Sequence, residues 1–369
     1  MTRASKSLTK ILLLIFGMAS STHSSASAIG IAPLSILPGS TASYVTAMNG
    51  PGTVVVGMCL VGGTRQSFRW TAGEGMTNIG AHPDWQDTTA YSVSDDGSVI
   101  VGACSANGSS SAFRWTISGG VGLLPTGNAA YGVSGNGELS VGQGQSAMKW
   151  SGTNPGETFG AAFYSARGIS RSGNVTIGTY VFDSFLGDAG AWWPTNGVAV
   201  QAFGPLPSLP NAVSGDGAVI VGGGGTNPFR WTASDGTISL EILDSTGWTS
   251  PSAVSDDGSI VVGSSGSVAC IWQVGRAPEP LDSFLASNGV NLTGWTALSS
   301  ADGVSSDGAT IAGIGVYNGT RQPFIATVPE PSVLSLAVLG GVAMVWRNRS
   351  QLRKVSLCSI PTKTQATER

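Results

Sequence analysis

A ten-residue window that recurs seven times restricts the fold of this chain more than any other sequence feature. Its clearest copy is VSDDGSVIVG at 93–102, where a turn glycine is followed five residues later by a second glycine. The spacing of this glycine pair is the same in every copy, so the window marks a repeating structural unit. The seven windows begin at Met48, Val93, Val133, Ile169, Val213, Val254 and Val304.

Each unit reads as a small antiparallel sheet. In the second unit, residues 90–94 predict one strand, and 95–97 a tight turn, because glycine tolerates positive φ. Residues 98–104 are rich in β-branched side chains and predict the return strand. A third strand follows at 111–116 and a fourth near 120–124. Four antiparallel strands therefore make up one unit.

The repeat length predicts a β-propeller. The second glycines are 45, 40, 36, 44, 41 and 50 residues apart, which suits a propeller blade and is too long for a hexapeptide β-helix. We expect an all-β fold of seven four-stranded blades, with no segment of helical period between 29 and 328. The last unit lacks a fourth strand, and residues near 31–37 resemble one, so we expect the N-terminal strand to close the ring and cover the sheet edge.

Composition supports this fold class and excludes some functions. The chain of 369 residues is 41% apolar and 11% charged, with 54 glycines, unlike a helical enzyme. A net charge of −3 provides no basic surface for nucleic acid. Of the two histidines, His23 lies in a leader segment, so a histidine-based triad or metal site would depend on His82 alone.

The N-terminal 28 residues have the layout of a secretory signal. Arg3, Lys6 and Lys10 precede a short apolar run at 11–18, and a small-residue cleavage site follows at 26–28. The apolar run is shorter than the roughly 20 residues of a membrane span. Residues 1–28 therefore predict a cleaved signal peptide and an exported protein.

The C-terminal region carries three features in order after the last repeat. Pro329, Glu330 and Pro331 precede an apolar run at 333–346, which predicts a short hydrophobic helix, and a basic cluster ends near Lys354. This order resembles the PEP-CTERM sorting signal of exopolysaccharide-producing bacteria. The resemblance implies an exosortase-type processing enzyme as partner and a membrane anchor at 329–354, with a polar tail at 355–369. The basic cluster is expected on the cytoplasmic side.

The repeats themselves resemble the HAF-type extracellular repeat family. The shared motif is a polar-Asp-Gly turn, two apolar residues before the second glycine, and a later Phe-Arg-Trp, as at 113–115. The match spans nearly all of 29–328. The family often carries a PEP-CTERM tail, and the resemblance implies no established biochemical activity.

The turn acids are weak candidates for calcium ligands. Every unit enters its turn in the same direction, so these carboxylates are expected at one end of the propeller, and calcium prefers hard oxygen ligands. Equivalent turns have Asn136 and Ser172, and Asp-Gly also suits hairpins for backbone reasons, which favours a structural role. No other cofactor is predicted. The six acids are Asp95, Asp96, Asp216, Asp256, Asp257 and Asp307.

The Phe-Arg-Trp strand predicts a core between blades. Alternation places the aromatic residues on one face and the basic residue on the other. The basic residues are expected to pair with turn carboxylates or backbone carbonyls; they are Arg69, Arg114, Lys149 and Arg230. Three tryptophans outside the motif are possible contacts for carbohydrate or a partner, the alternative being aromatic packing on the rim. They are Trp85, Trp248 and Trp295.

Cys59 and Cys104 occupy equivalent strand positions in neighbouring units. An exported protein allows a disulfide between them, although packing as small apolar side chains is favoured.

These features lead to two functional hypotheses. The first is an exported, surface-associated bacterial protein of binding or structural type, linked to extracellular polysaccharide, with a polysaccharide or a surface protein as partner. The alternative is a propeller hydrolase or lyase that acts on polysaccharide with carboxylates in the central channel. In either case, function is expected in what varies between the copies.

Overall fold

A computed structural model describes residues 29–160, 163–183, 187–195, 201–202, 209–223, 227–243 and 248–328. The predicted signal peptide at 1–28 lies outside the described residues, as do the sorting segment at 329–354, with its hydrophobic helix, and the tail at 355–369. Within the described residues, no helix is both long and apolar enough to cross a membrane.

The chain forms a β-propeller of seven four-stranded antiparallel sheets, as the repeats predict. Each unit contributes its own blade, whose first strand lies at the central axis. Blade one contains β2 (Ser40–Met48), β3 (Val54–Val61), β4 (Thr64–Thr71) and β5 (Gly75–Asn78). Blade two contains β6 (Asp87–Val93), β7 (Val99–Ala106), β8 (Ser109–Thr116) and β9 (Gly120–Leu123). Blade three contains β10 (Ala129–Val133), β11 (Leu139–Gln143), β12 (Ala147–Ser151) and β13 (Glu157–Thr158).

The next three blades repeat the same strand order. Blade four contains β14 (Phe163–Ile169), β15 (Val175–Asp183), β16 (Gly187–Pro194) and β17 (Gln201–Ala202). Blade five contains β18 (Pro210–Val213), β19 (Val219–Gly222), β20 (Phe229–Thr232) and β21 (Gly236–Ser239). Blade six contains β22 (Thr249–Val254), β23 (Ile260–Ser265), β24 (Val268–Gln273) and β25 (Glu279–Pro280).

Blade seven is closed by the N-terminal strand, which confirms the expected closure. It contains β26 (Trp295–Val304), β27 (Thr310–Tyr317) and β28 (Thr320–Thr327), and β1 (Gly30–Pro33) pairs antiparallel with β28. The two ends of the described propeller therefore meet in one sheet, which removes an open edge from the ring.

The expectation of no helix is wrong at one place. The helix α1 (Leu281–Ser287) follows β25, and its buried residues Leu281, Phe284 and Leu285 pack on the sheets of blades six and seven. Their spacing of three and four residues is the helical period. Two turns are too short to register as a periodic pattern within a glycine-rich chain.

The hairpin at the start of each blade is held by its own side chains. In blade two, the Ser94 hydroxyl donates to Asp96 Oδ1 at 2.6 Å and accepts from the Val99 N–H at 3.0 Å. Asp96 Oδ1 also accepts from the Ser98 N–H at 2.9 Å. The turn glycine, Gly97, has φ of 68°, a conformation that suits glycine. The serine and the residue at the fourth window position thus build the turn.

Neighbouring blades pack through the Phe-Arg-Trp strand. Phe68 and Phe113 are fully buried. The predicted partners of the basic residues are confirmed for Arg69 and Arg114, which donate to the carbonyls of turn glycines in the following blades, Gly97 at 3.2 Å and Gly137 at 3.0 Å. Each strand therefore ties its blade to the next hairpin.

The other two basic residues differ from each other. Lys149 pairs with Glu157 on the adjacent strand at 3.3 Å, so its carboxylate partner is not in a turn. The buried Nε of Arg230 has no hydrogen-bond partner among the described residues. The described cysteines, Cys59, Cys104 and Cys270, are free buried thiols, so Cys59 and Cys104 form no disulfide with each other. Cys59 contacts the Ser43 hydroxyl at 3.1 Å, and Cys104 contacts the Ser111 carbonyl at 3.6 Å.

Candidate functional site

Every inner strand carries a β-bulge at the same place, two residues before the repeat window. In blade two, Ala90 pairs with Gly102 and Ser92 pairs with Val101, which leaves Tyr91 as the extra residue. The same shift occurs in the other six blades. Bulges re-aim side chains and are common next to binding sites.

The seven extra residues line the open part of the axial channel, and we call them the bulge ring. They are Thr46, Tyr91, Tyr131, Arg167, Asn211, Ser252 and Asp302. The cavity at the axis has a volume of about 180 Å³. The same backbone bulge thus presents seven side chains of six different kinds to the same space.

The second glycine of each window makes the bulge possible. A Cβ atom added at Gly102 would overlap the carbonyl oxygen of Thr89 in the inner strand and lie 2.6 Å from the Phe113 ring. An added Cβ would meet an inner-strand carbonyl in the same way in all seven blades. The glycine is therefore needed for close approach of two strands, and its φ is not in the left-handed region.

The opposite end of the channel is closed by the third residue of each window. These residues form the hub ring: Gly50, Asp95, Gly135, Arg171, Gly215, Asp256 and Ser306. Backbone hydrogen bonds join neighbours directly, from Asp95 to Gly135 and from Gly135 to Arg171 at 2.9 Å, and from Ser306 to Gly50 at 2.8 Å. The hub ring therefore holds the ends of neighbouring inner strands close together around the axis.

Arg171 crosses this closed end and pairs with two acids. Its Nη1 lies 2.5 Å from Asp95 and its Nε lies 2.9 Å from Asp256, so one guanidinium links blades two, four and six. Gly50 and Gly135 leave room for these side chains, because a Cβ at either position would overlap them. The ion triad of Arg171, Asp95 and Asp256 therefore lies across the base of the channel.

The six turn acids divide into two groups in the structure. Asp95 and Asp256 belong to the hub ring and bind Arg171. The other four are exposed fourth-position residues that accept hydrogen bonds within their own turns; they are Asp96, Asp216, Asp257 and Asp307. Hydrogen bonds from serine hydroxyls and from backbone lower the pKa of Asp96.

No group of three or more His, Cys, Asp or Glu residues suited to a metal ion occurs among the described residues. Calcium at the turn acids stays a prediction, and thermal unfolding with excess calcium against a chelator tests it.

Asp302 is the single carboxylate of the bulge ring. Burial raises its pKa to about 6, and a hydrogen bond from the Ser300 hydroxyl at 2.7 Å and the charge of Arg321 act in the opposite direction. Within the described residues, Asp302 forms no ion pair at 4 Å or less. This carboxyl is therefore available to a hydroxyl group or a cationic group of a ligand.

Two tyrosines stand side by side on another part of the ring. The rings of Tyr91 and Tyr131 lie 5.4 Å apart, inclined at 48°. Burial raises the pKa of both hydroxyls, so they stay protonated and can donate hydrogen bonds at neutral pH. The charge of Arg167 on the next blade lowers the pKa of Tyr131 slightly against that burial. The two inclined rings together form an apolar surface with hydroxyl groups at its edges.

The three tryptophans proposed as ligand contacts lie away from this ring. Trp85 packs partly buried against the core between blades one and two, and Trp295 packs against Tyr317 and Phe324 at 5.0 and 5.7 Å. Trp248 is 68% exposed, directly before the inner strand of blade six. Ligand contact by these residues stays a prediction, and Trp248 has the exposure for it.

Sequence reasoning did not identify the bulge ring or Arg171. The aligned windows contain a sequence signal for both. The residue two places before each window changes chemistry from copy to copy, and Arg171 occupies the place of Asp95 and Asp256 with opposite charge. A charge reversal at aligned positions indicates contact across the axis.

Comparison with known proteins supports the fold and extends no further. No family model matches the chain, and no curated protein matches its sequence. Oligogalacturonate lyase from Vibrio parahaemolyticus is similar in structure, with a TM-score of 0.50 at 10% identity over 83% of this chain and 95% of that one. At such identity the likeness concerns the fold alone.

Two further structures are more distant. An oligogalacturonate lyase in complex with manganese has a TM-score of 0.48 at 10% identity, over 82% of this chain and 98% of that one. TolB from Acinetobacter baumannii has a TM-score of 0.40 at 12% identity, over 78% of this chain and 63% of that one.

Proposed function

We propose that this protein is an exported, surface-associated bacterial propeller of binding type, which holds extracellular polysaccharide in its axial channel. The observation that carries the proposal is the bulge ring, where the same backbone bulge presents six kinds of side chain at seven positions to one cavity. A purely structural repeat has no need for such variation at positions that line an open cavity.

The chemistry of the ring favours a ligand rich in hydroxyl groups. Hydroxyl, amide and carboxylate groups can each donate to or accept from a sugar hydroxyl, and the tyrosine pair can pack on the apolar face of a pyranose. Thr46 and Asn211 already use polar atoms to hold neighbouring inner strands, at 2.7 Å to the Ala90 carbonyl and 2.8 Å to the Pro251 carbonyl. The ring is therefore pre-organised before a ligand enters.

The cellular setting of the proposal comes from the sequence. The predicted signal peptide at 1–28, the HAF-type repeats and the PEP-CTERM-like segment at 329–354 support export, exosortase-type processing and attachment at the cell surface. To test the anchor, the full chain and a truncation ending at Thr327 are expressed in a Gram-negative host that carries such a processing enzyme. We expect the full chain with membranes and the truncation in the soluble exported fraction; identical fractionation contradicts the anchor.

The alternative is a hydrolase or lyase acting on polysaccharide. Asp302, with a pKa near neutrality in a channel, is the observation in its favour, since such groups can transfer protons. A glycosidase usually needs two carboxyl groups about 5–10 Å apart. The other acids of the described channel, Asp95 and Asp256, are paired with Arg171. Asp302 therefore lacks a second free carboxyl group beside it, which favours the binding function over the enzymatic one.

One experiment separates the two functions. The purified full chain is screened on a glycan array and, in parallel, incubated with the same polysaccharides while chain length is measured. We expect retention of specific glycans without shortening. Shortening of a polysaccharide by the wild type and not by Asp302→Asn would establish the alternative.

A further inference from the structure

Arg167 stands out within the bulge ring because its guanidinium has no anionic partner. The side chain is exposed to the channel, and among the described residues it makes no ion pair or hydrogen bond. Arg171, four residues further along the chain, binds two carboxylates. An arginine kept free inside a cavity retains all five of its donors for a ligand.

The position of Arg167 joins two spaces. It lines the axial channel and also a side groove between blades three, four and five. This groove is lined by Gln143, Asn211 and Tyr164, whose ring is 51% exposed. A chain molecule that enters the channel can therefore continue outward past Arg167 rather than end there.

The charges around the ring select the kind of anion. Arg167 is the single cation of the bulge ring, and Asp302 lies three blades away, as far as a ring of seven allows. One guanidinium matches one planar carboxylate, which it can bind through two parallel hydrogen bonds. A more highly charged group, such as a phosphate dianion, would lack a second cation and face repulsion from Asp302.

We propose that the channel takes an acidic saccharide, a chain containing uronate, whose carboxylate pairs with Arg167 while a sugar ring packs on the Tyr91 and Tyr131 pair. The inference rests on the proposed function and specifies its ligand class. Asp302 then accepts a hydrogen bond from a sugar hydroxyl on the opposite wall. The neighbouring unit of the chain lies in the side groove beside Tyr164.

The test uses matched probes that differ only in charge. Hexamers of glucuronate, mannuronate and galacturonate, and the methyl ester of each, are titrated into the full chain by calorimetry. Methyl esterification removes the negative charge and keeps the sugar and its linkage. We expect at least one acid hexamer to bind at least tenfold more tightly than its ester, with an affinity that falls as salt rises.

The matched protein variants are Arg167→Gln and Arg276→Gln. Both remove one positive charge, but Arg276 lies on an exposed turn after β24, outside the channel. We expect Arg167→Gln to bind acid and ester equally and Arg276→Gln to keep the wild-type preference. If Arg167→Gln does not fold, the acid-against-ester comparison on the wild type still decides the question of charge.

The outcomes distinguish the acidic-saccharide inference from the proposed polysaccharide-binding function on which it rests. Equal binding of acid and ester by the wild type, or a preference that survives Arg167→Gln, overturns the acidic ligand. In that case, retention of neutral polysaccharides on the glycan array leaves the proposed function standing. Failure to bind any hexamer and any arrayed glycan overturns both.

Discussion

The second glycine of the repeat is the position where a single methyl group should cost the most, and Gly102→Ala is the variant that tests this. The added Cβ would overlap the Thr89 carbonyl oxygen and lie 2.6 and 2.8 Å from two carbons of the buried Phe113 ring. Neither obstacle can rotate away, because one is backbone inside a sheet and the other is enclosed in the core. Relief requires the inner strand to move, and with it the bulge that carries Tyr91.

The magnitude follows from these contacts. Overpacking a core typically costs 1–3 kcal/mol, and a rigid obstacle on both sides places this variant at about 3 kcal/mol. The smaller entropy of the unfolded alanine chain offsets roughly 0.4–1 kcal/mol of that. A net loss of about 2–2.5 kcal/mol corresponds to a fall in Tm of roughly 3–4 °C for a domain of about 300 residues.

The control is Gly122→Ala in the outer strand of the same blade. A Cβ at Gly122 has its nearest neighbour at 3.7 Å, the Arg114 carbonyl oxygen, which is ordinary contact. We expect this variant to keep or slightly raise the stability of the wild type. The assay is urea and thermal unfolding followed by tryptophan fluorescence. Equal midpoints for Gly102→Ala and Gly122→Ala would refute the close-approach argument.

Three further predictions concern charge and thiols. Arg171→Ala leaves Asp95 and Asp256 at the hub ring without their shared cation. Because the side chains of these acids are 41% and 40% exposed, we expect the free energy of unfolding in urea to fall by about 1–2 kcal/mol. Neutralising both acids in the same variant should restore part of that loss. Burial raises the pKa of Cys104 to about 11 and of Cys270 to about 12, so neither should react with a thiol reagent at pH 8 until the protein is unfolded. Peptide mapping of the labelled sites measures this, and rapid labelling of Cys104 or Cys270 in the native protein would contradict it. The pKa of Asp302 is raised on folding from near 4 to about 6, so the free energy of unfolding should fall by up to about 3 kcal/mol as pH rises through that interval. Asp302→Asn should remove this fall. Measured by Tm, the variant should be more stable than the wild type at pH 7 and equal to it at pH 4.

The architecture could be predicted from the sequence because its determinants are local and repeated. The turn needs Gly97 and its equivalents, the return strand needs β-branched residues, and the repeat length sets the blade. Closure by β1 could also be inferred, because the last repeat lacks a fourth strand and the segment before the first repeat resembles one. The helix α1 was missed because two helical turns carry too few residues for a period to be read.

The site could be predicted only in part, because it depends on contacts between distant units. Strand alternation alone does not tell whether Tyr91 faces the axis or a neighbouring blade, since a bulge resets the alternation at that residue. Within a single copy of the repeat, the two neighbouring turn acids have the same chemistry and cannot be told apart by sequence. Their separation into Asp95 at the axis and Asp96 in the turn becomes visible only when the partner Arg171, 76 residues further along, is placed beside Asp95.

The bulge explains how this fold can separate stability from recognition. The bulge is built from backbone pairing and from a glycine on the facing strand, so the identity of the extra residue contributes little to holding the blade. The hub ring links the blades at the other end through backbone bonds and one ion triad. Among the described residues of the bulge ring, Thr46 and Asn211 are the side chains that hydrogen-bond to a neighbouring blade. The other five positions can therefore vary while the framework stays constant. That freedom is the physical reason why Arg167 can lack an acidic partner among the described residues, as the proposed acidic ligand requires.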